Sequence, residues 1–260
     1  MYRARPQDGI AFVTGASSGI GRATAIELAR RGYKVAASGR RADALAELAA
    51  EHPGAIFAFP ADVTQAEAMA AAIAAAEAAH GPIALAFLNA GVSHLASERR
   101  GFDVDVVWQT QAVNIGGTVN CLGPLLARMT ARQRGQIGIN ASLAGYGGLP
   151  GSTGYGASKA ALINMAESLA LTYAPAGVSV QVICHGFVRT PMSGQEKTFA
   201  TPFLIEADEA ARRICRGFER GGFEISFPWQ LVTSLKLLRL LPYRLRFSLL
   251  AATLNNARRG

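Results

Sequence analysis

Short apolar runs alternate with longer, alanine-rich stretches along most of the chain. The short runs are rich in β-branched and aromatic residues and predict strands, whereas the stretches between them are typical of helices. The predicted strands are 10–13, 34–38, 55–60, 84–88, 136–140, 179–184 and 223–227, and the predicted helices lie near 19–31, 42–51, 65–79, 103–131, 155–174 and 207–220. Because each return to a parallel neighbour needs a long crossover, this order predicts an α/β fold, doubly wound around a seven-stranded parallel sheet.

The length and the punctuation of the chain predict a single domain with an appendage. The 260 residues are 50% hydrophobic, which is enough for one large α/β core. No linker rich in Ser, Pro or Gly and no internal repeat interrupts the alternation. We therefore expect one catalytic domain over 1–228 and a leucine-rich helical appendage over 229–260.

The basic residues are concentrated at the C-terminus. The chain has a formal net charge of +8, with 26 basic and 18 acidic residues. Residues 229–260 contain no Asp or Glu and six basic residues, namely Lys236, Arg239, Arg244, Arg246, Arg258 and Arg259. The rest of the chain is close to neutral, so we expect no nucleic-acid partner and a local surface or partner contact at the tail.

The N-terminus and the cysteines indicate a cytoplasmic protein. No apolar signal-like region precedes the first strand-like run at Ile10. The three cysteines, Cys121, Cys184 and Cys215, are far apart and lack the spacing of metal ligands. We expect them to be reduced core residues, and we expect no metal site.

A glycine-rich turn follows the first predicted strand. In the segment "TGASSGIG" (14–21) three glycines stand at a strand-to-helix turn, where the backbone can approach a pyrophosphate and the helix N-terminus favours negative charge. Three glycines at this spacing are a weak motif alone, but their position directly after strand one strengthens it. The predicted phosphate-binding residues are Gly15, Ser17, Ser18, Gly19, Ile20 and Gly21.

Two arginines after the second strand indicate the type of dinucleotide. Strand two ends in "SGRR" (38–41), with Gly39 where an NAD-preferring site would have an acid for the ribose hydroxyls. Arg40 and Arg41 supply the cations that a 2′-phosphate needs. The pattern favours NADP(H) over NAD(H), with Arg40 the better candidate because it follows the strand end directly. The alternative is that both arginines are solvated charges at the start of the next helix.

The motifs as an ordered series resemble the short-chain dehydrogenase/reductase family from about residue 8 to residue 227. They are "TGASSGIG", "ADV" (61–63), "NAG" (89–91), "VN" (113–114), Ser142, "YGASK" (155–159) and "HGFVRT" (185–190). The resemblance implies a Rossmann-type fold, an oxidoreductase activity on a small-molecule carbonyl or alcohol, a nicotinamide cofactor and a homo-oligomer.

The resemblance also implies roles for individual residues. Asp62 and Val63 would lie against the adenine, and Asn89, Ala90 and Gly91 would form the cofactor floor after strand four. Asn114 would interrupt its helix and hold a water in a proton relay. Val188 and Thr190 would hold the nicotinamide carboxamide, and residues 191–206 would form a variable substrate lid.

The reaction itself requires a proton donor and a second hydrogen-bond donor at the oxygen, where negative charge develops. Tyr155 is the predicted acid and base, and Ser142 the second donor. A free phenol has a pKa of about 10, so activity near neutrality requires about 4 kcal/mol of preference for the phenolate. Lys159, four residues along the same helix face, can supply that preference and can also bond the nicotinamide ribose.

One position departs from the family. After strand six the family usually has Pro-Gly, whereas this chain has His185-Gly186. The loss of proline frees one φ angle and restores an N–H. His185 is interpreted as a tolerated loop substitution, with contact to the cofactor or substrate as the alternative.

The C-terminal segment is leucine-rich around most of a helical wheel, so something must cover part of it. Its first part, from residue 229 to Pro242, has only 13 residues before the proline, which is too few to span a bilayer. Three alternatives remain: packing over the cleft or a subunit, contact with a membrane surface through 229–254, or a disordered tail. Membrane contact would make the protein peripheral.

These patterns together predict an NADP(H)-dependent reductase or dehydrogenase that acts on a partly apolar carbonyl or alcohol. A nucleotide-sensing or membrane-peripheral interaction protein that retains the dinucleotide fold is the alternative. Such a protein would be expected to have lost Ser142, Tyr155 or Lys159, and all three are present.

Overall fold

The computed structural model describes residues 2–94, 101–192 and 201–257. Its central sheet has seven parallel strands in the order β3-β2-β1-β4-β5-β6-β9, which confirms the predicted architecture. The strands are β1 (Ile10–Thr14), β2 (Val35–Gly39), β3 (Ile56–Pro60), β4 (Ile83–Leu88), β5 (Gly135–Asn140), β6 (Val178–His185) and β9 (Glu224–Phe227). Two short strands, β7 (Val188–Arg189) and β8 (Ile205–Glu206), form a separate parallel pair.

Helices cover both faces of the sheet. They are α1 (Gly19–Arg30), α2 (Ala42–Glu51), α3 (Ala66–His80), α4 (Val104–Gln111), α5 (Gly117–Ala131), α6 (Thr153–Tyr173), α7 (Ala207–Arg220), α8 (Trp229–Leu240) and α9 (Tyr243–Ala257). The single helix predicted near 103–131 is instead two helices, separated by a π-helical turn over Ala112–Gly116. The wider turn lets the buried Asn114 side chain bond the neighbouring backbone, as described below.

The core consists of two apolar layers, one on each face of the sheet. Phe12, Ile139 and Leu162 belong to one layer, and Phe87 and Phe218 to the other. Five of the seven strands are buried along their whole length, as expected for parallel strands covered on both sides. Cys121, Cys184 and Cys215 are buried in these layers, in agreement with the sequence.

The strand order reverses between β1 and β4, which are neighbours in the sheet although two strands and three helices separate them in sequence. Ligands of doubly wound folds bind beyond the carboxyl ends of the strands at such a reversal. The turn after β1 and the loop after β4 meet there, so the fold brings the glycine-rich motif and "NAG" to one edge of the sheet.

The first of the two C-terminal helices packs against the domain. Leu231, Val232 and Leu235 of α8 pack on the core, next to β9. Among the described residues, no helix has the length and apolarity needed to cross a membrane.

Candidate active site

The turn between β1 and α1 has a shape that requires glycine. Gly15 has a φ of 66°, and a Cβ there would lie 2.9 Å from Asn89 Nδ2. A Cβ on Gly21 would lie 2.2 Å from the carbonyl oxygen of Gly15. Ser18 precedes α1, and its side chain makes no capping hydrogen bond. The first-turn N–H groups, at Gly19 to Gly21, can therefore receive the phosphates of a dinucleotide.

Of the two arginines after β2, Arg41 is the one that the structure brings to this turn. Its Nη2 donates to Ser17 O at 2.8 Å, and its Nε lies 3.4 Å from Ser17 Oγ. Arg40, the residue that the sequence favours, is exposed. Position 39 also lies near the turn, since a Cβ there would be 3.4 Å from Ser17 Oγ. The cationic side of the turn is built by Arg41, at the start of α2.

A hydrogen-bonded network connects the carboxyl ends of three adjacent strands. Thr14 Oγ1 accepts from the N–H groups of Asn89 and Ala90, at 2.9 and 3.0 Å, and Asn89 Nδ2 donates to Thr14 O at 3.0 Å. Asn140 Nδ2 donates to Asn89 Oδ1 at 2.9 Å, and Lys159 Nζ donates to Asn140 O at 2.7 Å. Sequence reasoning missed Thr14 and Asn140, whose signal is that each is a polar residue ending a buried strand.

Lys159 is the charged residue at the end of this network. Its side chain is 3% exposed, and burial lowers its pKa to about 8. The Nζ atom lies 5.6 Å from the centre of the Tyr155 ring, so the structure brings the two residues of "YGASK" together. A Cβ on Gly91 would lie 3.6 Å from Nζ. The ammonium is thus positioned between the tyrosine and the loop that follows β4.

Ser142 is held just beyond the end of β5. It begins a short 3-10 turn over Leu143–Gly145, and its Oγ accepts from Ala144 N at 3.2 Å and lies 3.4 Å from His185 O. A Cβ on Gly145 would lie 2.7 Å from the carbonyl carbon of Lys159, so the turn packs directly against α6. Ser142 and the Tyr155–Lys159 pair therefore belong to one packed unit.

Asn114 lies in the π-helical turn and is completely buried. Its Oδ1 accepts from Val92 N at 2.8 Å, and its Nδ2 donates to Val92 O at 3.0 Å and to Ser158 Oγ at 2.9 Å. Ser158 Oγ in turn donates to Tyr155 O at 2.7 Å. Both amide protons are in use, so the side chain joins the loop after β4 to the helix that carries Tyr155. Ser158, inside "YGASK", is a residue that sequence reasoning missed.

The motif after β3 is fixed by local contacts. Asp62 Oδ1 accepts from the N–H and the hydroxyl of Thr64, both at 2.9 Å. Val63 is buried against Gly117 of α5, where a Cβ would lie 2.6 Å from Val63 Cγ2. This segment lies at the same carboxyl edge of the sheet, as an adenine-binding position requires.

The segment after β6 carries the departure from the family pattern. The His185 ring is buried and stacked on Phe227, its Nδ1 lies 2.8 Å from Gly186 O, and burial lowers its pKa to about 4. These contacts favour a packing role. Val188 is buried in β7, and Thr190 Cγ2 would lie 3.2 Å from a Cβ on Gly19, which brings this segment to the glycine turn. Of the predicted lid 191–206, residues 193–200 lie outside the described part of the chain.

A polar link joins the site to α8. Tyr146, on the loop after Ser142, donates its hydroxyl to Glu224, and Lys236 Nζ bonds Glu224 Oε2 at 2.6 Å. Partial burial opposes ionisation of Glu224, but the hydrogen bonds from Lys236 and Tyr146 hold its pKa below the ordinary value. Lys236 Nζ also lies 5.4 Å from the centre of the Tyr146 ring. The C-terminal helices are therefore attached to the loop that carries Ser142.

An apolar pocket of about 320 Å³ lies between this loop and α9. Its lining residues are mostly apolar and comprise Gly148, Leu149, Pro150, Phe247, Leu250 and Ala251. The pocket opens beside the segment that leads into the helix of Tyr155.

Comparison with known proteins agrees with the geometry. A model of the short chain dehydrogenase family matches residues 9–200. An uncharacterized oxidoreductase of Myxococcus xanthus is 38% identical over 239 residues, 89% of this chain and 92% of the relative. Oxidoreductase UcpA of Salmonella typhimurium is 36% identical over 193 residues, 70% of each chain. The crystal structure of a short-chain dehydrogenase from Streptomyces avermitilis has a TM-score of 0.77 at 26% identity, covering 87% of this chain and 91% of that one.

Proposed function

Since the chain belongs to the short-chain dehydrogenase family, we propose that this oxidoreductase uses NADP(H) to interconvert a carbonyl and an alcohol. The observation that carries the proposal is the position of Lys159. Its buried ammonium lies beside the Tyr155 ring and above Gly91, so it stabilises the phenolate of Tyr155 electrostatically. Burial of an ammonium costs stability, so a role in the reaction would explain why the chain holds one at this position.

The residues of the chain handle the proton and the developing charge. Tyr155 donates a proton to the carbonyl oxygen during reduction and removes it during oxidation. Ser142 donates a hydrogen bond to the same oxygen. Asn114 is proposed as the residue that holds a water in a proton relay, and its side chain also fixes Val92 and Ser158 through hydrogen bonds.

The residues at the carboxyl edge fit a nicotinamide dinucleotide, which supplies or accepts the hydride when bound. The glycine turn and the uncapped start of α1 would hold its phosphates. Asp62 and Val63 would contact the adenine, Asn89 to Gly91 would form the floor, and Val188 and Thr190 would hold the carboxamide.

A preference for NADP(H) is supported by the two arginines and by the missing acid at Gly39. Because Arg41 already contacts the glycine turn, we expect it to contribute more to the discrimination than Arg40. NADPH pools are generally kept reduced, so the favoured direction is carbonyl reduction. The apolar pocket beside the loop supports a partly apolar substrate.

The test is turnover of a panel of ketones and aldehydes with NADPH by wild type and by Tyr155→Phe. We expect Tyr155→Phe to lower kcat by about 10²–10⁴-fold while cofactor affinity, measured by fluorescence titration, changes little. Tyr173→Phe, at the other end of α6, is the matched control and should keep wild-type turnover. Cofactor binding without turnover by either Tyr155 form would instead favour a nucleotide-sensing or interaction protein.

We also propose a homo-oligomer. Phe102, Val104 and Trp108, at and just before α4, are exposed and form an apolar surface. Light scattering after size exclusion would test this, and Trp108→Ser should reduce the oligomer if α4 lies in its interface.

A further inference from the structure

Helices α8 and α9 are joined through Leu241 and Pro242 and line one small pocket together, and we call them the C-terminal hairpin (Trp229–Ala257). The two sides of this segment differ. The inner side is covered by the domain: Leu231 and Leu235 pack on the core, and a Cβ on Gly186 would lie 3.2 Å from Leu231 Cδ1. The outer side exposes large apolar side chains, among them Leu240 at 80%, Trp229 at 72% and Tyr243 at 68%. The others are Leu237, Leu241, Leu245 and Leu249, whereas Phe247 is exposed but lines the pocket beside the loop after Ser142. An apolar surface of this size marks a binding face.

The apolar residues follow a helical stripe on α8. Trp229, Leu237 and Leu240 are separated by eight and then three residues, a spacing that places them on one side of the helix. Leucines on the opposite side are those that pack inward. The outer stripe therefore makes no contact with the core, because the inner leucines already provide the packing of α8 on the domain.

The charges on the hairpin have a single sign. Its cations are Lys236, Arg239, Arg244 and Arg246, and the hairpin contains no Asp or Glu. Lys236 is paired with Glu224, and the Arg246 guanidinium lies 4.5 Å from the centre of the Tyr243 ring. Arg239 and Arg244 are exposed, and Arg239 also lines a small pocket beside Tyr146. The surface thus combines apolar, aromatic and cationic groups.

A second copy of the chain fits this surface poorly. A symmetric dimer would place the same patch against itself, so that arginines would face arginines with no acid on either hairpin to pair with them. An anionic bilayer instead provides both an apolar phase for the leucines and negative headgroups for the arginines. Aromatic rings such as those of Trp229 and Tyr243 are typical of the membrane–water boundary.

We propose that the outer side of the C-terminal hairpin binds the surface of an anionic lipid bilayer. Both helices lie in the plane of the boundary, since neither is long and apolar enough to span the membrane. The inner side stays on the domain, so the loop over Tyr146–Pro150 and the apolar pocket beside it come close to the lipid. Binding of this kind follows from the exposed apolar groups and the charge of the hairpin, and it is independent of the proposed reaction.

The experiment is sedimentation of the full chain with sucrose-loaded vesicles. One set consists of phosphatidylcholine alone and the other of phosphatidylcholine mixed with phosphatidylglycerol. We expect binding to the anionic set that weakens with added salt, and little binding to the neutral set. The variant Arg239→Gln/Arg244→Gln/Arg246→Gln should bind the anionic vesicles at least about tenfold more weakly. The variant Leu237→Ser/Leu240→Ser/Leu245→Ser should also lose binding.

The matched control removes three exposed cations elsewhere, in Arg30→Gln/Lys34→Gln/Arg134→Gln, and should bind like wild type. An equal loss in this control would mean that net charge alone drives binding, and it would overturn the proposal. So would wild type that ignores anionic vesicles. If light scattering shows a dimer that the leucine variant dissociates, while wild type does not sediment with vesicles, the face binds a second copy instead.

Discussion

At the carboxyl edge of the sheet the polar side chains are used by other parts of the chain, whereas the outer side of the C-terminal hairpin exposes large apolar groups to solvent. Asn89, Asn114 and Lys159 each bond a segment distant in sequence. On the hairpin, Leu240 is 80% exposed. In the first region, contacts within the chain fix the positions of the side chains. In the second, the domain leaves apolar side chains uncovered. Substitutions should therefore change function or stability at the edge, and change little of either on the outer side of the hairpin.

The largest effect within this comparison is expected for Lys159→Met. Loss of the ammonium should lower kcat and raise the pH at which activity appears, because Tyr155 loses its electrostatic partner. An unchanged pH profile would contradict the role given to Lys159.

The ammonium of Lys159 supports activity, but its burial lowers the stability of the native protein, and this cost should disappear when the group loses its proton at high pH. Burial lowers the pKa of Lys159 from 10.5 to about 8, so between these values the unfolded chain holds a proton that the native protein has released. The unfolding free energy of wild type should rise by about 3 kcal/mol relative to Lys159→Met as the pH increases through this window. Urea denaturation at pH 7 and at pH 10 would measure the difference.

His185 tests the edge from the acidic side. Burial lowers its pKa from 6.5 to about 4, so in this interval the unfolded chain binds a proton that the native protein does not. Wild type should lose up to about 3 kcal/mol of stability relative to His185→Gln as the pH falls from 6.5 to 4. Parallel acid titrations of the two proteins, followed by circular dichroism, would show it. Overlapping curves would indicate that the ring is accessible.

Gly21→Ala should have a smaller effect on stability but a clear one on the cofactor. The new Cβ would lie 2.2 Å from Gly15 O, so the turn must shift at a cost of about 1–3 kcal/mol, and NADPH affinity should fall. Gly116→Ala is the control, since its backbone is helical and a Cβ there meets nothing within 4 Å, and it should stabilise by about 0.5–1 kcal/mol. Equal thermal midpoints for the two variants would mean that the turn tolerates a side chain at position 21.

The smallest effect is expected on the hairpin. Leu240→Ser removes an exposed side chain, so the unfolding free energy should change by no more than about 0.5 kcal/mol. The kcat in the absence of lipid should stay close to that of wild type. Leu235→Ser, on the inner side of the same helix, should destabilise the protein because that leucine packs on the core. Equal destabilisation by the two changes would remove the distinction between the sides.

The sequence predicts the sheet and the local motifs because their spacing is a property of the chain. Tyr155 and Lys159 meet as residues on one helix face, and the glycine turn follows directly from β1. The partners that sequence reasoning missed, such as Asn140 and Thr14, meet across strands whose order in the sheet does not follow their order in the chain. The spacing of residues along the chain does not indicate the order of the strands in the sheet.

The two arginines and the π-helical turn illustrate the same limit at shorter range. Arg41 rather than Arg40 contacts Ser17, since the direction in which the chain leaves β2 decides which side chain turns toward the glycine loop. The break at Ala112–Gly116 accompanies a hydrogen bond from Asn114 to Val92, a residue in another loop. In both cases a tertiary contact decides the local structure against the preference that the sequence alone indicates.

The link from Lys236 through Glu224 to Tyr146 joins the hairpin to the loop that begins at Ser142. If the hairpin lies on a bilayer, this joint makes binding at the two places thermodynamically reciprocal. Any factor by which lipid changes the affinity for a ligand in the cleft must equal the factor by which that ligand changes the affinity for lipid. The fraction of the protein bound to the membrane would then depend on whether the cleft is occupied, and it would change with the concentrations of the ligands of the cleft.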